Sequence, residues 1–474
     1  MIARILFSVV MTVTPILVGH AVPAMLDDDG MLLVDGRRLF ILGLYENPTD
    51  DAVLREAAAA GIKLVYAAAS RESLDRLGSH GVYAWLNTGS HIDLSENADA
   101  RGAGLKEMVE RFADHPALLV WEVPDEALWN TWYNALLWRG GAEPKALAEQ
   151  IAALEDATQR DQLSADLERS RALHREGCYA ASEKLAEDLW RALGQNSPHP
   201  ELGLANAPHR AGRLYQGMVK GRALLGELDP VHPVWMNHAP RNQVAQLARF
   251  NEAADIVGCD IYPVPESPHV RHSDLLDRTL ASVGAYTRRM QQAAPGKPVW
   301  MVLQGFGWGD IQPERPPEIR EQLRRPTLAE TRFMAFDAIV HGARGILYWG
   351  TAYIEKDSTC WRDLLTVVKE LDDLQPVITG HDVSHASVRV TIEETFGSHD
   401  EGVTVLPKRV ENEWWLIVVN ERSDPLTYMA RFDLLGQSGS FRERYTGAVV
   451  DLQDSAFRHT IPGYGVQIFH RLSP

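Results

Sequence analysis

The sequence has few cysteines and no recognisable metal-binding or phosphate-binding motif. Three cysteines occur among 474 residues, Cys178, Cys259 and Cys360, too few for a disulfide framework or a Cys-based metal site. Cys259 lies in an apolar stretch, where we expect a buried free thiol. No His-x-His or His-Glu-x-x-His spacing occurs, and the glycines form no phosphate-binding loop. We therefore expect neither a metal nor a cofactor.

Positive charge and long apolar runs are also scarce. The 64 acidic residues outnumber the 47 basic ones, and the formal net charge of −17 argues against nucleic acid and anionic membranes as partners. Beyond residue 24, no apolar stretch is long enough to span a membrane. The net charge does not argue against a neutral glycan, so a carbohydrate remains a candidate partner.

Residues 1–24 have the pattern of a signal peptide. Arg4 supplies the positive charge, and Ile5–Val18 is mostly apolar but too short and too interrupted to span a bilayer. Val22-Pro23-Ala24 then offers small residues for cleavage. We expect a secreted or periplasmic protein that is soluble and has no membrane contact after cleavage. The sequence leaves its oligomeric state open.

A short apolar strand, a polar or aromatic exit and a helical stretch follow one another eight times. Such alternation indicates right-handed βαβ units and a parallel sheet, and eight units close a (β/α)8 TIM barrel of the α/β class. An open doubly wound sheet would instead concentrate polar groups at one switch point. We therefore predict a barrel over residues 25–377. Its strands are Leu39–Tyr45, Ile62–Ala68, Val82–Asn87, Leu118–Val123, Pro233–His238, Ile256–Tyr262, Val299–Gln304 and Gly345–Trp349.

Two additions to the barrel are predicted. About a hundred residues separate the fourth and fifth strands, far more than an ordinary connection. The Ala- and Leu-rich segment Glu143–Leu193 indicates a two-helix insertion within about 140–225, either a wall or lid of the cleft or a packing surface. Short alternating strands separated by turn residues then predict an antiparallel β-sandwich over residues 378–474, which either binds glycan or supports the barrel.

The end of the fourth strand carries the strongest chemical signal. The strand is followed by Pro124, Asp125 and Glu126, and the carboxyl ends of barrel strands are where such folds keep their chemistry. Trp129 follows closely and offers a flat apolar face for stacking. A carboxylic acid beside an indole suits cleavage of a sugar linkage, since the leaving oxygen needs a proton. Without this context, an Asp–Glu pair would indicate a solvent-exposed acidic turn.

Polar or aromatic side chains also follow the other strands. We predict that they form a carbohydrate-binding cleft with Asp125, Glu126 and Trp129, and that Asp260 contributes to catalysis. The predicted binding residues are Tyr45, Glu46, Trp85, Asn87, Asn237, His238, Tyr262, Gln304, Trp308 and Trp349.

Three segments resemble the clan A glycoside hydrolases, over roughly residues 35–375. Trp121–Glu126 is similar to the Trp-x-x-x-Asn-Glu motif that ends their fourth strand, with Asp125 in place of Asn. Gly258–Pro263 is similar to their sixth-strand segment, and Gly342–Trp349 to their eighth strand, whose Trp underlies the first sugar subsite. The resemblance implies a barrel with an accessory β domain, glycoside hydrolysis, and Glu126 as general acid/base.

One position departs from that family and leaves the mechanism open. Gln304 occupies the end of the seventh strand, where the family has its nucleophilic Glu, and an amide cannot form a glycosyl ester. An inverting enzyme would pair Glu126 with a carboxylate about 6.5–9.5 Å away, for which Asp260, Asp310 and Glu46 are candidates.

A second mechanism is suggested by another resemblance. In substrate-assisted hexosaminidases an adjacent Asp–Glu pair ends the fourth strand, and Asp125-Glu126 resembles it, which implies that Asp125 orients a 2-acetamido group. In both mechanisms we expect Gln304 to contact the sugar or the attacking water. The third alternative is a non-catalytic glycan-binding barrel derived from a glycoside hydrolase.

Overall fold

The computed structural model describes residues 23–267, 270, 272–276, 278–393, 402–411 and 413–472. The predicted signal peptide lies outside these residues except for Pro23 and Ala24, and Ala24 is part of the fold because its N–H donates to Val231 O at 3.2 Å. A small antiparallel sheet that the sequence did not predict comes first. Its strands are β1 (Ala24–Leu26), β2 (Leu32–Val34) and β3 (Arg37–Leu39).

The central barrel is closed and has eight parallel strands, which confirms the predicted fold class. The strands lie in chain order around the barrel, and the last pairs with the first. Most of their residues are fully buried, because helices cover the outer face and side chains fill the interior. The strands are β4 (Ile41–Leu44), β5 (Leu64–Tyr66), β6 (Tyr83–Asn87), β7 (Leu118–Glu122), β8 (Val234–His238), β9 (Ile256–Ile261), β10 (Val299–Gln304) and β11 (Ala343–Trp349).

Helices follow most of these strands, and several begin at a side-chain cap. Ser70, Asp50 and Thr327 each accept a backbone N–H of the first turn, and Thr327 forms a full capping box with Glu330. The helices are α1 (Asp51–Ala60), α2 (Arg71–Ser79), α3 (Ala98–Phe112), α4 (Ala127–Leu137), α5 (Glu143–Ala152), α6 (Ala157–Arg175), α7 (Tyr179–Ala192), α8 (Ala207–Leu228), α9 (Val244–Phe250), α10 (Ser282–Ala293), α11 (Pro317–Gln322), α12 (Leu328–Val340), α13 (Thr359–Asp373) and α14 (Gln375–Ile378).

The insertion differs from the prediction in its number of helices and in its end. Three helices, α5, α6 and α7, occupy the segment predicted to form two, and they share a small core of their own around Leu147, Leu167 and Trp190. Helix α8 lies outside the insertion, because it packs beside α3 in the outer layer of the barrel. Its Gly221 allows α8 to lie against the turn that precedes α3, since a Cβ there would lie 1.8 Å from Ile92 O.

The C-terminal domain is an antiparallel sheet of nine strands, in the order β12-β14-β15-β20-β17-β18-β19-β16-β13. The antiparallel β domain predicted at this end of the chain is therefore confirmed. The strands are β12 (His381–Asp382), β13 (Val388–Ile392), β14 (Val403–Val410), β15 (Glu413–Asn420), β16 (Leu426–Phe432), β17 (Ser438–Glu443), β18 (Val449–Gln453), β19 (Ala456–Ile461) and β20 (Val466–Arg471).

This sheet packs against the barrel on one face. Ile417, Val419 and Ile468 belong to the same hydrophobic core as the barrel residues, while Tyr428 and Phe457 belong to a separate core within the domain. The sheet therefore packs on the barrel and supports it. This was one of the two roles expected from the sequence.

Two further findings concern membrane spans and cysteines. Within the described ranges, none of the helices is both long enough and apolar enough to cross a membrane. All three cysteines are free thiols, with Cys178 exposed and Cys259 and Cys360 buried.

Candidate active site

A cavity of about 480 Å³ opens at the carboxyl ends of the barrel strands. Eight residues predicted from the sequence line it, and they are joined by Tyr133 of α4 and by residues from the connecting loops. The predicted residues are Asp125, Glu126, Trp129, Asn237, Asp260, Tyr262, Trp308 and Trp349, and the others are Tyr133, Ala239, Pro240, Arg241, His272 and Ile311.

The chain places Glu126 in the cavity through a sharp turn after β7. Glu126 has left-handed backbone angles, φ 48° and ψ 33°, and its N–H donates to Asn237 O at 3.2 Å. Helix α4 begins directly after it. The left-handed angles are unfavourable for a residue with a Cβ, so the surrounding structure holds this turn in place.

The Glu126 carboxyl keeps its proton at neutral pH. Burial and, after it, the nearby carboxyl groups of Asp260 and Asp125 together raise its pKa to about 9, because additional negative charge in this group would be repelled. A protonated carboxyl facing a cavity is what a general acid requires.

Asp125 lines the cavity. Its side chain is accessible from the cavity but has protein atoms on its other sides. Its Oδ1 accepts a hydrogen bond from Asn237 Nδ2 at 2.9 Å, which fixes the carboxyl in one orientation. Crowding by protein atoms raises its pKa, while the hydrogen bonds from Asn237 and from the Glu126 N–H oppose that rise. Asp125 can therefore present its second oxygen to a donor on a ligand.

Asp260 faces Glu126 from the end of β9. Asp260 is 4% exposed, and burial together with the charge of Asp125 raises its pKa to about 8. Its Oδ2 lies 3.3 Å from His272 Nε2. Three acidic groups thus converge on one point of the cavity.

Aromatic rings form much of the remaining wall. Trp129 and Tyr133, one turn apart on α4, stack with ring centroids 5.2 Å apart and planes at 27°. Tyr262 stacks on Trp349 with centroids 5.5 Å apart, and Trp308 donates its indole N–H to Tyr262 O at 3.3 Å. Flat apolar faces beside carboxyl groups suit the binding of a sugar ring.

Comparison with known proteins gives the fold a context. No family model matches the sequence, and no curated protein matches it either. Solved structures do match, among them a glycoside hydrolase family 5 protein from Bacteroides vulgatus, with 14% identity, a TM-score of 0.51, and coverage of 95% of this chain and 94% of that one. The fold is that of glycoside hydrolase barrels.

Two β-galactosidases share this glycoside hydrolase fold. The GH42 β-galactosidase Gan42B from G. stearothermophilus is 10% identical, with a TM-score of 0.52 over 91% of this chain and 98% of that one. The β-galactosidase from Bacillus circulans sp. alkalophilus is 11% identical, with a TM-score of 0.50 over 91% and 99%. The resemblance to clan A barrels is thereby confirmed for the fold.

Glu122 is a buried acidic residue beneath the site that was not predicted from the sequence. Glu122 is 2% exposed and accepts hydrogen bonds from Trp85 Nε1 at 3.1 Å and Asn87 Nδ2 at 2.8 Å, with Tyr45 Oη at 3.3 Å. Burial raises its pKa to about 8. Tyr45, Trp85 and Asn87, predicted to bind substrate, instead surround Glu122 and do not line the described cavity. A carboxyl within an apolar strand was the available signal, because such a group needs partners.

Glu46, Asp310 and His238 are likewise held by other residues, which corrects their predicted roles. Glu46 Oε2 lies 2.6 Å from Lys356 Nζ, and both Asp310 oxygens accept from Arg325 at 2.9 Å. His238 Nε2 lies 2.8 Å from Asn251 Oδ1, and burial lowers its pKa to about 4. Within the described residues, none of the three lines the cavity.

Gln304 is also absent from the described cavity wall. Its Oε1 accepts from Val264 N at 2.9 Å, and its Nε2 donates to Val264 O at 2.7 Å and to Phe306 O at 3.0 Å. The amide thus fastens the loop that follows β9 to the end of β10. The sugar or water contact predicted for Gln304 is wrong in this geometry, because both ends of the amide are already used.

The helical insertion contributes no residue to the described cavity wall, although a lid or wall of the cleft was one of its predicted roles. Among the described residues that line the cavity, none comes from α5, α6 or α7, whereas α4 provides Trp129 and Tyr133. The wall of the cleft is therefore the helix that leads into the insertion.

Proposed function

We propose that this protein is an exported glycoside hydrolase in which Glu126 is the general acid. The observation that carries the proposal is a protonated Glu126 between two other carboxyl groups, in a cavity walled by aromatic rings. The fold shared with glycoside hydrolases supports it. Export rests on the signal-like pattern of residues 1–24.

The positions of the other carboxyl groups favour a substrate-assisted mechanism. A nucleophile at position 304 is missing, and Glu46 and Asp310 are engaged by Lys356 and Arg325. Asp260 interacts with Glu126 directly, whereas an inverting pair needs about 6.5–9.5 Å between the two carboxyls to hold a water. The substrate then has to supply the nucleophile.

A 2-acetamido sugar would supply it. The acetamido oxygen attacks C1 and forms a C1–O bond, the bond from C1 to the leaving oxygen breaks, and that oxygen takes the proton of Glu126. Asp125 accepts the acetamido N–H and keeps the group oriented, since Asn237 holds its other oxygen. Water then adds to C1, the acetamido C1–O bond breaks, and Glu126 recovers a proton from that water.

The mechanism is tested by following product anomers by NMR with matched β-glycosides that carry a 2-acetamido or a 2-hydroxyl group. We expect hydrolysis with retained configuration, confined to the 2-acetamido substrates, and inhibition by a thiazoline analogue of the cyclised sugar. Inverted product would contradict the assisted route and support catalysis by Glu126 with a second carboxylate. Binding without hydrolysis of any glycan would overturn the proposal and leave a glycan-binding barrel.

A further inference from the structure

Arg241 brings a positive charge to a cavity that otherwise carries acidic groups, and it was not predicted from the sequence. It lines the cavity just after β8, beside Ala239 and Pro240. Among the described residues of the cavity wall, no other Arg and no Lys occurs. The histidine of that wall, His272, is neutral, because burial and, after it, the charge of Arg241 lower its pKa to about 3.

The turn that carries Arg241 is held in place by hydrogen bonds. Asn242 donates from Nδ2 to Ala239 O at 3.0 Å, across the turn. Arg289 on α10 donates from Nη2 to Asn242 O at 2.8 Å. Arg241 itself donates from Nε to His272 O at 3.3 Å. The backbone of the turn and the inner edge of the guanidinium are therefore positioned before a ligand binds.

The two terminal nitrogens of Arg241 have no protein partner in the described part of the chain. Neither Nη1 nor Nη2 makes a hydrogen bond there, and none of the described carboxylates forms an ion pair with the guanidinium. Arg241 is exposed, so these N–H groups are accessible to a ligand. A guanidinium presents them as a planar fork that matches the two oxygens of a carboxylate.

The carboxyl groups of the cavity repel an anionic ligand less than their number suggests. Burial is the main reason that the pKa of Glu126 rises to about 9 and that of Asp260 to about 8. Both groups therefore hold a proton for much of the time near pH 7. The net charge of −17 repels anions at long range, but salt screens that repulsion beyond about 10 Å. The charge of Arg241 then decides how an anionic group is received beside it.

Resting on the proposed function, we propose that Arg241 is a specificity-determining residue that binds the carboxylate of an acidic sugar joined to the 2-acetamido sugar. The substrate class is then a glycan in which 2-acetamido sugars are linked to hexuronic acids. A neutral glycan leaves the guanidinium without a partner and binds more weakly. This narrows the proposed function from 2-acetamido glycosides in general to acidic glycans.

The test compares the binding of two trisaccharides by isothermal titration calorimetry. The acidic probe has a 2-acetamidoglucose between two β-linked glucuronic acids, and the neutral probe is the same molecule with both carboxyls reduced to alcohols. Binding is measured in a Glu126→Gln background, in which little substrate is hydrolysed. We expect the acidic probe to bind about tenfold more tightly, because its hydrogen bonds to Arg241 are charge-assisted. The difference should shrink as salt is added, since the guanidinium is exposed.

Substitutions of Arg241 then show whether this residue causes the preference. Arg241→Gln should weaken binding of the acidic probe to the level of the neutral probe, while unchanged binding of the neutral probe shows that the cavity is intact. Arg241→Lys keeps the charge without the planar fork and should recover only part of the preference. Arg249→Gln is the matched control, since Arg249 is an exposed arginine on α9 outside the described cavity wall, and it should leave the preference unchanged.

Hydrolysis by the wild-type protein is assayed separately, so that the two proposals can fail independently. Equal binding of the two probes, or a preference that survives in Arg241→Gln, would overturn the role of Arg241 whether or not 2-acetamido glycosides are hydrolysed. A preference that depends on Arg241, without hydrolysis of any glycan, would overturn the proposed function and leave a carboxylate subsite in a glycan-binding barrel. Binding of neither probe would overturn both proposals.

Discussion

Glu122 and Glu126 lie four positions apart at the end of β7, yet they are two different kinds of acid. Glu126 faces the cavity beside other carboxyls, whereas Glu122 is enclosed by the indole, amide and phenol of Trp85, Asn87 and Tyr45. Both have raised pKa values because both are desolvated. The first is placed to give its proton to a ligand, and the second fixes the packing beneath it.

Replacing Glu126 by Gln should lower kcat by about 10²–10⁴-fold, the usual effect of losing a general acid. The loss should be smaller for a substrate with an acidic leaving group, because a good leaving group needs less protonation. Steady-state kinetics on aryl glycosides of differing leaving-group pKa measure both effects. Glu46→Gln is the control, since Glu46 pairs with Lys356 outside the described cavity wall. Equal losses for all leaving groups would contradict the assignment.

Glu122 should make the protein less stable as the pH rises. Its folded-state pKa of about 8 lies above the ordinary value of 4.5, so the folded chain binds more protons than the unfolded chain between these values. Stability should therefore be highest at the acidic end of this window and fall towards pH 8. Glu122→Gln resembles the protonated acid and should weaken this dependence, as urea unfolding at several pH values would measure. An unchanged slope would show that Glu122 ionises freely.

At the scale of the elements, the loop after β9 is fastened by an amide at the end of β10. Gln304 donates to two carbonyl oxygens and accepts one backbone N–H, so a carboxylate in its place would face two acceptors in a buried site. Such a mismatch costs about 1–3 kcal/mol or more.

We accordingly expect Gln304→Glu to lower both the melting temperature and kcat, without creating a retaining nucleophile. Calorimetry and product anomer analysis would show the two effects, and Gln304→Met would serve as an uncharged comparison. A stable Gln304→Glu protein with higher activity would mean that position 304 can reach the sugar.

The strands and their exits were predictable, but the contacts between exits were not. Apolar runs followed by polar residues predict β4 to β11 because that pattern is local in the sequence. Which exit residue faces the cavity depends on side-chain direction and on partners far away in the chain. Trp85 is hydrogen-bonded to Glu122, and Gln304 is hydrogen-bonded to Val264. No spacing in the sequence predicts those pairs. His272 lies in a loop with no periodic signal at all.

At the scale of the whole molecule, the barrel and the C-terminal sheet are joined by polar contacts as well as by a common core. His341 on the barrel side lies 2.7 Å from Glu421 Oε1, and Arg332 on α12 donates to Val466 O at 3.1 Å. Asp337 joins His341 and Glu421 in a group close enough to hold a metal ion, but Arg288 Nη1 lies 2.8 Å from His341 Nε2. This group is therefore a hydrogen-bonded bridge between the two domains.

We expect the two domains to unfold together. Removing residues 381–474 would expose the face of α12 that packs on β15 and β20, so the shortened barrel should aggregate or unfold. Thermal unfolding followed by far-UV circular dichroism, and by the fluorescence of Trp414 and Trp415 after replacing tryptophans elsewhere in stages, should show one shared transition. Two separate transitions would contradict this coupling.

The left-handed backbone of Glu126 has a consequence for how this protein changes under selection. Gly and Asn adopt such angles more easily than Glu, so Glu126→Gly or Glu126→Asn should raise the melting temperature, by relieving about 1 kcal/mol of strain and removing a buried acid. The same substitutions remove the proposed acid. A library screened for heat resistance alone would then enrich inactive proteins, and a lineage released from selection for hydrolysis would lose this residue early while keeping its barrel.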